Sequence, residues 1–200
     1  YASVYANPNG VEGPPHYDLI RKQKADRLKD VIRRANAHGI KVYCPILYSN
    51  TGTPENEAGL REHVRDIVTK FPEIHGYILL TEGFYYKKFF GAGGQGDTDL
   101  KEWAKHWTRA VGIVAEECHA INPDIEILPW EYNIDFRPHR VDLKRHVTSL
   151  LPDNTIPLLT WENGTAFELD GLNGYLRDYS ISQVGPAEVA AAQIEEAKRR

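Results

Sequence analysis

The chain has 200 residues, of which 42% are hydrophobic and 26% are charged, and its net charge at pH 7 is −4. This composition is typical of one globular domain, which we expect to span residues 1–200. The scattered basic residues argue against a nucleic-acid partner, and no apolar run approaches the roughly 20 residues that a membrane-spanning helix needs. The cellular compartment and the oligomeric state stay open.

Short apolar segments alternate with long amphipathic segments along the chain. The predicted strands are, in chain order, residues 2–7, 41–48, 76–82, 125–132, 155–162 and 175–182. The predicted helices lie between them, at about residues 17–38, 57–70, 100–121 and 141–151, and a further helix begins near Pro186. Strands that alternate with helices indicate parallel βαβ units with right-handed crossovers.

The alternation predicts an α/β fold of the (β/α)8 TIM-barrel type. A doubly wound sheet would also fit the alternation, but no G-x-G-x-x-G or P-loop motif follows any predicted strand. A full barrel takes about 250 residues, whereas this chain has about six predicted strands. We therefore expect an incomplete barrel that is truncated at one or both ends.

Three consecutive predicted strands end in a glutamate. These residues are Glu82, Glu131 and Glu162, and the last two directly follow Trp130 and Trp161. Because catalytic groups gather at the carboxyl ends of parallel strands, the three carboxylates are expected around one opening. Indole faces stack on the apolar faces of sugar rings, so the tryptophans indicate carbohydrate as the partner.

Paired carboxylates suit the hydrolysis of a glycosidic bond. One protonated carboxyl assists the leaving oxygen, and a second carboxylate acts as nucleophile or as base for water. Glu82 suits the acid role because aromatic residues follow it and would raise its pKa. The predicted second carboxylate is Glu162, with Glu131, Glu168 and Asp170 as alternatives.

Other polar and aromatic side chains near the strand ends are predicted to bind substrate. Besides the two tryptophans, they are Asn133, Asn163, Tyr48, Tyr85 and Tyr86. The histidines do not form a ligand set, so no metal and no cofactor is predicted.

Several of these segments resemble family 67 alpha-glucuronidases. The run Leu79-Leu80-Thr81-Glu82-Gly83 resembles the segment that carries the acid glutamate of that family, and Trp130 stands where the family has a strand-five tryptophan. Residues 160–164 resemble its strand-six segment, which ends in Asn-Gly, and residues 175–186 resemble the next strand. The resemblance implies a (β/α)8 barrel with Glu82 as the acid.

The chain departs from the family pattern in two ways. The family activates water with two carboxylates after the Asn-Gly, and the nearest candidates here are Glu168 and Asp170. Basic residues of the family correspond to Glu131 and Glu162, which would repel a uronate. We therefore expect a neutral glycan as substrate.

Two further functions fit the same residues. The first is a divalent-metal enzyme of the sugar isomerase type, with Glu82, Glu131 and Glu162 as oxygen ligands. The second is a barrel that binds carbohydrate without catalysis.

Overall fold

The computed structural model describes residues 16–46, 57–81, 97–131, 141–162, 165–176 and 186–200, with side chains described from residue 23 in the first range and from residue 101 in the third. The described helices are α1 (His16–Ala37), α2 (Glu57–Lys70), α3 (Asp97–Ile121), α4 (Val141–Leu150) and α5 (Glu188–Ala197). The described strands are β1 (Tyr43–Ile46), β2 (Gly76–Leu80), β3 (Glu126–Trp130), β4 (Ala166–Leu169) and β5 (Leu172–Tyr175).

Helix α2 shows how the apolar pattern determines a helix in this chain. Its buried residues are Leu60, Val64, Ile67 and Val68, a spacing that lines one face of an α-helix. Glu57 in the first turn and Lys70 in the last turn both interact favourably with the helix dipole. The predicted bounds of this helix are confirmed.

Strands β1, β2 and β3 form a parallel sheet in that order. The register aligns Tyr43, Gly76 and Glu126 at the amino-terminal edge, and Leu80 with Trp130 at the carboxyl-terminal edge. A further parallel bridge joins Trp130 to Leu158. Three of the predicted strands are thus confirmed as neighbours in one parallel sheet.

The core lies between one face of this sheet and helices α2 and α3. Ile46, Leu79 and Ile127 point to this side and are buried in one cluster with the helix residues. Two tryptophans of α3, Trp103 and Trp107, are fully buried there, and their rings stack with a centroid separation of 6.4 Å. On the opposite face Leu80, Leu128 and Trp130 are only partly buried.

Ion pairs join α2 to α3 at the surface of this layer. Glu117 accepts hydrogen bonds from Arg61 and Arg65, at 2.6 Å from Arg61 Nη1 and 2.5 Å from Arg65 Nε. Both arginines hold the pKa of Glu117 below its usual range, with Arg65 the larger cause. The pairs fix the two helices relative to each other over the apolar core.

The prediction of a barrel is wrong. The described strands form an open three-stranded parallel sheet and a separate two-stranded antiparallel sheet, and they do not close into a barrel. The predicted strand 155–162 forms a single bridge, at Leu158. In the predicted strand 175–182, Tyr175 belongs to the antiparallel sheet, and residues 177–182 lie outside the described residues. The predicted strand 2–7 also lies outside the described residues.

The antiparallel sheet is a hairpin that our sequence reading missed. Its turn is Asp170-Gly171, with φ values of 50° and 81°. Positive φ at both central residues matches the right-handed twist of a hairpin, and Asp-Gly is a favoured pair for such a turn. This turn sends the chain back antiparallel to β4, where a parallel crossover was expected.

Candidate functional site

The candidate site lies at the carboxyl-terminal edge of the parallel sheet. Leu80, Trp130 and Leu158 are in register there. The indole Nε1 of Trp130 donates a hydrogen bond to Thr160 Oγ1 at 3.0 Å. This hydrogen bond links the side chain of Trp130 on β3 to the segment that ends in Trp161-Glu162.

Glu162 follows the bridged segment at this edge and is buried. Its residue is 4% exposed, whereas the preceding Trp161 is 49% exposed. The backbone oxygen of Glu162 accepts a hydrogen bond from Thr165 N at 3.0 Å, and that of Trp161 accepts one from Ala187 N at 2.9 Å. The turn thus holds an indole toward solvent and a carboxyl beneath the surface.

Glu131 follows β3 but faces the helices. It has the strand parity of Ile127 and Pro129, which are buried on the helix side, and it is 5% exposed. Its Oε2 accepts a hydrogen bond from Gln193 Nε2 of α5 at 3.1 Å. Lys144 of α4 places Nζ 4.0 Å from the same oxygen and donates to the Glu131 backbone oxygen at 2.5 Å.

Burial determines the protonation of Glu131. Loss of hydration raises its pKa to about 7, and the charge of Lys144 and the bond from Gln193 act in the opposite direction. Glu131 thus joins a buried polar cluster that ties β3 to α4 and α5.

Helix α5 contacts both strand ends. Ala187, just before its first turn, donates to the Trp161 backbone, and Gln193 donates to Glu131. Gln193 Nε2 also lies 3.3 Å from Thr148 Oγ1 of α4. Helix α5 thus adds a link between the two Trp-Glu segments to the Trp130–Leu158 bridge and the Trp130–Thr160 hydrogen bond.

Our sequence reading did not single out Lys144 and Gln193. Both are at most 5% exposed, although residues of these types are seldom buried without a partner. The available signal was their placement on apolar helix faces, Lys144 between Leu143 and Val147 and Gln193 beside Ala192. A polar residue in such a stripe indicates a buried partner.

Two of the three alternative carboxylates, Glu168 and Asp170, lie on the hairpin that follows Glu162. Glu168 is exposed on β4 opposite Asn173, and Asp170 occupies the turn. The structure does not bring either of them into the cluster around Glu131. The predicted site residues that lie outside the described residues are Glu82, Asn133, Asn163, Tyr48, Tyr85 and Tyr86.

The described residues also bear on two other kinds of site. Within them, no group of three or more histidine, cysteine, aspartate and glutamate side chains is arranged to hold a metal ion. None of the helices in this part of the chain has the length and apolarity to cross a bilayer.

Comparison with known proteins gives this chain no relatives. No protein-family model, no curated protein and no solved structure matches it.

Proposed function

We propose that this chain belongs to a glycoside hydrolase that acts on a neutral carbohydrate, with Glu82 as general acid and Glu162 as the second carboxylate. The observation that carries the proposal is the pairing of a buried carboxyl with aromatic side chains at the carboxyl-terminal edge of the sheet. Glu162 is 4% exposed there, Trp161 beside it is half-exposed, and Trp130 is hydrogen-bonded to the same segment through Thr160. An exposed indole face suits stacking on a sugar ring, and a shielded carboxyl suits acid-catalysed cleavage.

Glu82 enters the proposal through its neighbours in the chain. Thr81, which precedes it, is buried at the end of β2, and β2 is the direct neighbour of β3 in the sheet. The resemblance of residues 79–83 to the acid segment of family 67 alpha-glucuronidases supports the same role. We therefore assign proton donation to the leaving oxygen to Glu82.

The other predicted roles fit the geometry less well. The carboxylate of Glu131 is bonded to Gln193 and lies near Lys144, so we assign it a structural role. The metal enzyme required Glu131 as a ligand beside Glu82 and Glu162, and we do not carry it further. A neutral substrate is favoured because the carboxylate of Glu162 would repel an anionic sugar at this edge.

A panel of nitrophenyl glycosides tests the proposal with the 200-residue chain. Glu82→Gln and Glu162→Gln should each lower kcat by about a hundredfold or more, because each removes a group that transfers a proton or attacks in the transition state. Glu73→Gln is the matched control, since Glu73 is exposed at the opposite edge of the sheet. Its rate should equal that of the unaltered protein.

Two results would contradict the proposal. Unchanged turnover in both Glu82→Gln and Glu162→Gln would remove the assigned carboxylates, and sugar binding without any turnover would favour a non-catalytic carbohydrate-binding protein. Where turnover is found, NMR of the first product anomer assigns the role of Glu162. Retention makes it the nucleophile, and inversion makes it the base for water.

A further inference from the structure

The hairpin β4–β5 has two chemically different faces. Its register pairs Ala166 with Tyr175 and Glu168 with Asn173, and paired residues of an antiparallel sheet point to the same side. These four residues form what we call the polar face. The opposite face carries Phe167, Leu169 and Leu172.

A surface cavity of about 430 Å³ lies on the polar face. It is lined by all four polar-face residues together with Phe167 and Gly174, and neither Leu169 nor Leu172 takes part. In the register, the Phe167–Gly174 pair lies between the Ala166–Tyr175 and Glu168–Asn173 pairs.

The lining groups match a sugar residue. Tyr175 is 55% exposed and offers an aromatic face to the apolar side of a pyranose ring. The Asn173 amide can donate to and accept from ring hydroxyls, and the Glu168 carboxylate accepts from them. The small Ala166 opposite Tyr175 leaves room beside the ring.

The hairpin is attached to the turn that carries Glu162. Leu176 N donates to Thr165 O at 2.8 Å, and Thr165 N donates to Glu162 O at 3.0 Å. The Ala166–Tyr175 pair therefore lies at the end of the hairpin nearest to Glu162.

We propose that the polar face of the β4–β5 hairpin is a binding subsite for a neutral sugar residue of an oligosaccharide. This inference rests on the proposed function and narrows its substrate to neutral chains long enough to reach the hairpin from Glu162. The carboxylate of Glu168 disfavours an anionic sugar at the same place. Hydroxyl groups are its suitable partners.

Calorimetric titration with cellohexaose, xylohexaose and mannohexaose tests the subsite. Tyr175→Ala should weaken binding of the preferred oligosaccharide by about tenfold, and Asn173→Ala by about threefold. Tyr175→Phe keeps the ring and should stay within about twofold of the unaltered protein. Leu172→Ala is the matched control, because Leu172 is 70% exposed on the other face of the same hairpin.

The outcomes separate this inference from the proposed function. Equal losses in Tyr175→Ala and Leu172→Ala, or no binding of any of the three oligosaccharides, would overturn the subsite. Binding that depends on Tyr175 in a protein without turnover would support the subsite and contradict the hydrolase. Turnover that needs Glu162, with KM and Kd unchanged in Tyr175→Ala, would support the hydrolase and contradict the subsite.

Discussion

Replacing Glu131 by glutamine should change how the stability of this protein depends on pH. In the folded protein Glu131 has a pKa of about 7, whereas an unfolded glutamate has a value of 4.5. Between these two pH values folding takes up a proton, so the free energy of unfolding falls as pH rises, by about 1.4 kcal/mol per pH unit. The contribution is fully present below pH 4.5 and is lost above pH 7, a change of roughly 3 kcal/mol.

Urea unfolding at several pH values between 4.5 and 8 measures this contribution. Glu131→Gln removes the titrating group, so its stability relative to the unaltered protein should improve by roughly 3 kcal/mol from the lowest to the highest pH. Glu131→Gln also removes the partner of Lys144, which shifts the free energy of unfolding by a constant amount. The test depends only on how the free energy of unfolding changes with pH. Glu73→Gln, at an exposed position, should reproduce the unaltered curve. Parallel curves for Glu131→Gln and the unaltered protein would refute the reasoning.

Three more outcomes follow from single contacts. Lys144→Met removes a positive charge that lowers the pKa of Glu131, so the pH at which the stability loss ends, followed by the same urea series, should move above 7. Gly76→Ala places a Cβ 2.8 Å from the Tyr43 ring and against the Glu126 carbonyl oxygen, and thermal unfolding should report a loss of about 1–3 kcal/mol. Burial raises the pKa of the Cys118 thiol to about 12, so Ellman's reagent should label Cys118 only when the protein unfolds, whereas the half-buried Cys44 reacts earlier.

The helices and the parallel strands could be predicted because their signals are local. Helix α2 follows from four apolar residues on one face, and β2 follows from an unbroken apolar run. The prediction of a barrel depended on more than local signals, because it assumed that strands and helices keep alternating through residues 155–182. There the Asp170-Gly171 turn determines the topology, and this signal was present in the sequence.

The direction of Glu131 could not be predicted from its own segment. Strand β3 is apolar at both parities, with Ile127 and Pro129 on one face and Leu128 and Trp130 on the other. Alternation shows that Trp130 and Glu131 point to opposite faces, but only the packing of α4 and α5 shows which face is covered. Tertiary contacts with α4 and α5 therefore decided the direction of Glu131.

The connection between the two Trp-Glu pairs runs through a rigid element. Ala187 and Gln193 are six positions apart, which along a helix at 1.5 Å per residue corresponds to about 9 Å. One end of this span is bonded to the Trp161 backbone, and the other is bonded to the carboxyl of Glu131. We therefore expect α5 to link the position of the Glu131 carboxyl to that of the Trp161 backbone.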